Sequence, residues 1–196
     1  MVSASQWAYL AFVAAVAVER LVELRISKRN AAWAFERGGV EAGQGHFTVM
    51  KILHTAFLLA APAEVLLLDR PFPSPWGWVA AGAVLATMGL RYWAIATLGV
   101  RWNTRVIVVP GLAAVNAGPY RYLRHPNYLA VIVELAALPL VHGAWITALS
   151  FTVANAALLR VRIRCEEQAL RTHCAYEDRL GDRRGLVPGP AGEAHR

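Results

Sequence analysis

Charged residues are scarce in this chain, and cysteine is scarcer still. Asp, Glu, Lys and Arg make up 17% of the 196 residues, whereas a soluble domain carries about a quarter. The two cysteines, Cys165 and Cys174, are nine positions apart, which places them on opposite faces of a helix, so we do not expect a disulfide. Because no CxxC or Cys/His cluster has metal-ligand spacing, we predict no metal site.

Apolar residues take the place of the missing charges and make up 57% of the sequence. The start of the chain lacks the basic residues of a signal peptide, so we expect its first apolar run to remain as a spanning helix. We predict an all-α integral membrane protein with about five transmembrane helices in a single domain covering residues 1–196. The apolar segments are 7–24, 52–68, 76–98, 128–141 and 144–159.

The basic residues predict how these helices are oriented. If the N-terminus is outside, the inner segments 20–51, 91–127 and 160–196 hold 19 of the 20 Lys and Arg, and Arg70 alone is outside. This asymmetry predicts a multi-pass protein of the cell membrane with its C-terminus in the cytosol. It also explains the net charge of +7 without nucleic acid, which we exclude as a partner.

Two inner segments have a distinctive composition. Segment 25–51 is basic and contains four glycines, and we predict a loop there; it has no G-x-G-x-x-G pattern and thus no dinucleotide site. Segment 105–111 is rich in β-branched residues and is closed by a turn, which predicts extended backbone. Irregular backbone between spanning helices must lie in water or line a protein cavity.

A polar stretch at 117–128 precedes the fourth apolar segment. Gly118 and Pro119 predict a turn, and Pro126 suits the first turn of a helix because it has no N–H to leave unpaired. The alternative is an interfacial loop anchored by Tyr and Arg. The fifth segment continues into a charged helix in which Arg162 and Glu166 share a face, although local ion pairs on a solvated helix end would give the same pattern.

Together these two features resemble the isoprenylcysteine carboxyl methyltransferase family. The matching residues run in the family's order: Gly118-Pro-Tyr120, Arg124-His-Pro-Asn-Tyr128, an apolar hairpin, Arg162, and Glu166-Glu167. Residues 19–60 further resemble a prokaryotic branch that is associated with type III polyketide synthases and O-methylates alkylpyrones. The chain departs from the family at Cys174-Ala175, where an aromatic-glycine pair is common, and at Tyr176.

The resemblance implies an S-adenosylmethionine-dependent methyltransferase whose cofactor-binding catalytic core covers residues 91–180. Residues 1–90 would supply the N-terminal spanning helices, and 181–196 a flexible tail. The cofactor would enter from the cytosol, where a loop and the C-terminal helix close over it, and a lipophilic acceptor would enter from the bilayer. The implied cofactor-binding residues are Leu112, Ala113, Ala114, Val115, Tyr120, His125, Pro126, Asn127, Tyr128, Glu166 and Glu167.

Arg162 matches the family arginine beside the methyl-accepting group, which favours an oxygen acceptor, because an arginine pairs with an anion and offers an amine nothing. Glu134 lies inside the fourth apolar segment, and we predict that it lines the substrate or cofactor cavity; the alternative is a buried ion pair. We expect an alkylpyrone or a prenylcysteine-like lipid as the acceptor. The alternatives are a phospholipid N-methyltransferase and an NADPH-dependent sterol-type reductase.

Overall fold

Five α-helices form the protein in a computed structural model that describes residues 1–174. The predicted fold class, an all-α integral membrane protein, is confirmed. The predicted tail at 181–196 and the departures at Ala175 and Tyr176 lie outside the described residues. The helices are Ala4–Phe35 (α1), Gln44–Leu67 (α2), Trp76–Leu98 (α3), Pro126–Leu140 (α4) and Trp145–His173 (α5).

Local sequence signals set several helix ends. Ser3 begins α1 with a capping box, in which its hydroxyl accepts from the Gln6 backbone N–H at 3.2 Å and its own N–H donates to the Gln6 side chain at 2.8 Å. Gly99, with a φ of 54°, ends α3. Pro126 is the first residue of α4, as the sequence predicts.

The loop predicted at 25–51 is mostly helical, so that prediction is wrong. Helix α1 continues to Phe35, and α2 already begins at Gln44. Long-range contacts explain the difference, because polar side chains late in α1 bond the segment after α3: Ser27 Oγ donates to Asn103 Oδ1 at 2.8 Å, and Asn30 Nδ2 donates to the Trp102 carbonyl at 2.8 Å. A polar helix face satisfied by a distant segment resembles a loop when the sequence is considered alone.

Two short strands join the end of α1 to the segment that follows α3. Strand β1 (Val40–Ala42) pairs antiparallel with β2 (Val106–Val108), with Val40 opposite Val108. The β2 strand confirms the predicted extended piece, whereas β1 was not predicted. A side-chain ion pair adds to the pairing, since Arg105 Nε donates to Glu41 Oε1 at 2.6 Å.

Within residues 1–174, three helices are long and apolar enough to cross a membrane, namely α2, α5, and α3 with its following turn to Arg101. Helix α4 has 15 residues and reaches only about 22 Å at 1.5 Å per residue, short of a hydrocarbon core of about 30 Å. Helix α1 carries Glu19, Arg20 and Glu23 midway along its length. The three long apolar helices α2, α3 and α5 identify the chain as a membrane protein.

The two ends of the helix bundle differ in what they gather. At one end the start of α1 meets the α2–α3 connection, where Gln6 Nε2 donates to Asp69 Oδ1 at 3.0 Å. The α4–α5 turn joins them there, since His142 Nε2 and Ser5 Oγ lie 3.2 Å apart. The opposite end holds the two strands, the polar stretch at 117–128 and the charged end of α5.

Candidate active site

The polar stretch is held against α3 by a close backbone approach at Gly118. Its φ is +52°, and a Cβ atom there would lie 2.3 Å from Thr97 Oγ1 and 3.0 Å from Trp93 Nε1. Both the left-handed backbone and the lack of space require glycine. The chain then forms a 3-10 turn at Gly118–Arg121, which buries Tyr120 before α4 begins.

Tyr128 links α4 to α5 through its hydroxyl. This hydroxyl donates to the Glu166 carboxylate and accepts from Arg162 Nε, 3.0 Å away. Arg162 is 4% exposed, and its Nη2 donates to the carbonyl of Thr104. The Arg162 guanidinium also lies 5.7 Å from the centre of the Tyr128 ring. Two hydrogen bonds and a ring contact thus fix the orientation of this buried cation.

His125 forms a second link between the polar stretch and α5. Its ring is buried and stacks on Tyr128, with the ring centres 5.3 Å apart. The His125 Nε2 atom lies 3.0 Å from Glu167 Oε1, and Arg124 and Arg171 lie 3.8 and 3.7 Å from the same carboxylate group. Glu166 and Glu167 therefore have separate partners: Glu166 bonds Tyr128, while Glu167 bonds His125.

A first cavity, called cavity A below, lies between β2, the segment at 112–115 and α5. Leu112, Ala113, Ala114 and Val115 all line it, and Arg101 Nη1 holds this segment by donating to the Ala113 carbonyl at 2.9 Å. Its walls are mostly apolar, and Glu166 contributes a carboxylate. Arg101, Arg105 and Arg124 line it as well, together with Leu98, Val106, Tyr120, Leu170 and Cys174.

A second cavity, cavity B, adjoins cavity A and shares Tyr120 and Glu166 with it. Two of its lining residues, Trp102 and Asn127, each carry a buried polar atom with no hydrogen-bond partner within residues 1–174, namely Nε1 and Oδ1 respectively. One is a donor and the other an acceptor, so together they suit a polar ligand. Tyr128 and Arg162 line the same cavity, and His125 completes it.

Burial keeps two acidic groups of cavity A protonated. The pKa of the Tyr120 phenol is raised well above its usual value, first by burial and then by the neighbouring charge of Glu166. Burial also raises the pKa of the Cys174 thiol, although Arg101 opposes the shift. Among the residues that line this cavity, Glu166 is the only one with a carboxyl side chain. Among the described residues, no group of three His, Cys, Asp or Glu side chains could hold a metal ion.

The structure brings most of the predicted cofactor-binding residues to the two cavities. Nine of the eleven line them: Leu112, Ala113, Ala114, Val115, Tyr120, His125, Asn127, Tyr128 and Glu166. Arg162, predicted beside the acceptor, lines cavity B. Pro126 lies between lining residues as the first residue of α4. Glu167 is outside both linings and contacts them through His125.

Glu134 is placed differently from its prediction. It is 4% exposed and absent from the lining of both cavities, and its carboxylate lies 2.7 Å from Arg91 and 3.7 Å from Arg20. Arg20 in turn bonds Glu23 at 2.7 Å. The expectation that Glu134 lines the substrate or cofactor cavity is corrected by this buried ion cluster, which joins α1, α3 and α4.

Sequence reasoning missed Trp102, Asn103 and Arg105, which line the cavities from the segment before β2. The one available signal was the extended, irregular segment predicted around 105–111, because such backbone between spanning helices must lie in water or line a cavity. Contacts with α1 decide which side chains of this segment line the cavities, and the local sequence does not reveal those contacts.

These features define a membrane protein with a polar, two-part cavity at one end of a helix bundle. Residues 79–172 match the model of the isoprenylcysteine carboxyl methyltransferase family, and the chain belongs to this family. It is thus a membrane methyltransferase. The chain is also 38% identical over 161 residues to the uncharacterized protein YpbQ of Bacillus subtilis, covering 82% of this chain and 95% of that protein. An uncharacterized protein of Haemophilus influenzae is 29% identical over 152 residues, covering 77% of this chain and 88% of its own length.

Proposed function

We propose that this protein transfers a methyl group from S-adenosylmethionine to an oxygen atom of a lipophilic acceptor. The observation that carries the proposal is the hydrogen-bonded chain from Arg162 through Tyr128 to Glu166. Arg162 is a cation suited to an anionic acceptor, and Glu166 is a carboxylate suited to the cofactor's ammonium group. Because both bond the same Tyr128 hydroxyl, the two groups lie close together.

The residues of the two cavities fit the cofactor's chemistry. Glu166 offers a carboxylate to an ammonium group, and the apolar walls of cavity A suit an adenine ring. The unpartnered Trp102 Nε1 and Asn127 Oδ1 atoms of cavity B offer a donor and an acceptor to the ribose or the carboxylate. When bound, S-adenosylmethionine supplies a methyl group activated by a sulfonium cation.

His125 and Glu167 support this binding indirectly, by holding Tyr128 in place. The stacking of His125 on Tyr128 and its bond to Glu167 hold the phenol ring that bridges Glu166 and Arg162. Pro126 begins α4 immediately after His125, which fixes the direction in which Tyr128 leaves the helix. Glu134 holds the helices through its ion pair with Arg91 and takes no part in the proposed chemistry.

Arg162 acts on the acceptor. Its Nε and Nη2 atoms are committed to Tyr128 and Thr104, while Nη1 makes no hydrogen bond to the described residues. An ionised enol, phenol or carboxylate needs no general base, so the arginine has only to hold and orient the oxygen for in-line displacement. An amine would lose this partner, which favours an oxygen acceptor over the phosphatidylethanolamine nitrogen.

We further propose a five-span topology in the cell membrane with the N-terminus outside and the C-terminus in the cytosol. The bundle end that gathers the α1 start, the α2–α3 connection and the α4–α5 turn contains Arg70 as its one basic residue among residues 1–174. The cavities lie at the opposite, basic end, so the cofactor would enter from the cytosol and the acceptor from the bilayer. Residues 91–180 would form the catalytic core of the single domain.

The proposal is tested with purified protein, methyl-labelled S-adenosylmethionine and three acceptors: a long-chain alkylpyrone, a prenylcysteine analogue and phosphatidylethanolamine. We expect label in the alkylpyrone, and label in the prenylcysteine analogue would still fit an oxygen acceptor. The Arg162→Gln variant is expected to lose transfer because the acceptor oxygen loses its cation. Label found only in phosphatidylethanolamine would contradict O-methylation and support the phospholipid N-methyltransferase alternative.

A further inference from the structure

A third cavity, the α1–α2 cleft, lies outside the two that hold the proposed cofactor site. Its volume of about 380 Å³ falls within the range of small-molecule sites, roughly 300–1,000 Å³. Most of the residues that line the cleft come from α1. They lie on one face of that helix, since they recur at helical spacing. The lining residues are Leu24, Ser27, Lys28, Ala31, Ala32 and Phe35 from α1, with Phe47 from α2, and Thr104 and Arg105 from the segment that leads into β2.

Arg105 connects this cleft to the site. Of the described residues, it alone lines the cleft and both cavities. Glu41 on β1 holds its Nε and Nη2 atoms, and the guanidinium lies 5.4 Å from the centre of the Phe35 ring. The Nη1 atom has no hydrogen-bond partner among residues 1–174, and the side chain is 31% exposed.

Thr104, which also lines the cleft, is the residue whose carbonyl accepts from Arg162. Arg105 therefore lines the cleft itself, and Arg162 bonds the residue that precedes it. A molecule with a hydrocarbon chain and an anionic head would match this order, with its chain along α1 and its head at the guanidinium groups. Lys28 is the second cation that lines the cleft, after Arg105.

We propose that the α1–α2 cleft binds the hydrocarbon chain of the methyl acceptor and that Arg105 anchors its anionic head beside Arg162. This inference rests on the proposed O-methyltransferase function and adds to it the residues that select the acceptor. The α1 and α2 residues of the cleft lie before residue 79, where the match to the family model begins. Chain-length selectivity is then a property of this chain's N-terminal helices, and the 79–172 region supplies the methyl-transfer site.

Blocking the cleft tests the first half of the proposal. Ala32 is an exposed lining residue, so Ala32→Trp fills the cleft without overpacking the core, and Ala14→Trp is the control because Ala14 is equally exposed on α1 and lines none of the three cavities. Each variant is assayed with pentyl and pentadecyl pyrones. We expect Ala32→Trp to lower the ratio of kcat/KM for the long over the short chain by about tenfold, the equivalent of roughly two methylene groups left unburied.

A retained preference of Ala32→Trp for the long chain, with methyl transfer otherwise intact, would overturn the cleft assignment and leave the O-methyltransferase proposal standing. Failure of the wild-type protein to methylate any acceptor would instead contradict the proposed function. Occupancy of the cleft is then measured independently by photolabelling with a diazirine-bearing pentadecyl phenol. We expect labelled peptides from residues 24–35 and 47 that an excess of pentadecyl pyrone protects.

Labelling that the pyrone does not displace would mean that bulk lipid chains occupy the cleft, which contradicts the proposal.

The anchoring of the anionic head by Arg105 is tested by comparing Arg105→Gln with Arg25→Gln, because Arg25 is an exposed arginine that lines none of the three cavities. We expect Arg105→Gln to raise KM for the pyrone by about tenfold, the loss of one charge-assisted bond, and Arg25→Gln to leave that KM unchanged. An unchanged KM in Arg105→Gln would remove Arg105 from the acceptor site.

Discussion

Replacing Glu134 by Gln distinguishes a structural role for this carboxylate from a role in methyl transfer. Glu134 is 4% exposed and lies between Arg91, at 2.7 Å, and Arg20, at 3.7 Å. Removing one partner of a buried ion pair costs up to about 3–5 kcal/mol when the remaining charge loses its compensation. Glu23, 2.7 Å from Arg20 and 3.8 Å from Arg91, retains part of that compensation here, so this range is an upper limit. For a protein of this size, that loss corresponds to a fall in Tm of roughly 6–20 °C.

The assay is thermal unfolding of the purified protein in detergent, followed by circular dichroism, with calorimetric titration of S-adenosylmethionine below the transition. We expect the Glu134→Gln variant to unfold early and to bind the cofactor normally. Glu36→Gln is the control, because the Glu36–Arg37 pair is exposed at 3.6 Å and should contribute less than about 1 kcal/mol. Adding Arg91→Gln should cost less than the sum of the two single changes, with a coupling of about 0.5–3 kcal/mol.

A Glu134→Gln variant with wild-type Tm that fails to transfer methyl groups would refute this reasoning. The carboxylate would then belong to the reacting site, as the sequence predicts. A variant with wild-type Tm and normal activity would instead show that the two arginines gain little from Glu134.

Three further predictions concern the polar stretch, Arg162 and the topology. Gly118→Ala should cost more stability than Gly111→Ala: both residues have positive φ, worth about 1–2 kcal/mol each, but only at Gly118 does a Cβ meet other atoms within 4 Å, and the Tm values decide. Arg162→Lys should bind S-adenosylmethionine almost normally and lose most methyl transfer, because an ammonium group cannot replace the two guanidinium bonds; full activity would contradict this. Reporter fusions within 70–75 and after residue 196 should report outside and cytosol, respectively, and a cytosolic signal from 70–75 would overturn the five-span topology.

The sequence predicts the parts of the fold that depend on local pattern. Long apolar runs identify α2, α3 and α5, and Pro126 marks the start of α4. It fails at the end of α1, where Ser27 and Asn30 look like loop residues because their partners lie more than seventy positions away. The same long-range contacts create strand β1, which has no local signal.

The candidate site shows the same division. Residues carried by the family resemblance, such as Tyr120 and Glu166, line the cavities together. Trp102 and Arg105 were missed because their roles depend on how α1 and β1 pack against the segment after α3. Glu134 was misplaced for a related reason: an ionisable residue in a spanning helix suggests function by default, and only its contacts with Arg91 and Arg20 reveal a structural ion cluster.

Calorimetric titration in detergent with S-adenosylmethionine and, separately, NADPH tests the central claim most directly when the wild-type protein is compared with Glu166→Gln. The account predicts saturable binding of S-adenosylmethionine, no binding of NADPH, and an affinity in the variant lower by about 1.5–3 kcal/mol, the contribution of one charged hydrogen bond. Binding of NADPH, or an unchanged affinity for S-adenosylmethionine in a folded Glu166→Gln variant, would contradict it.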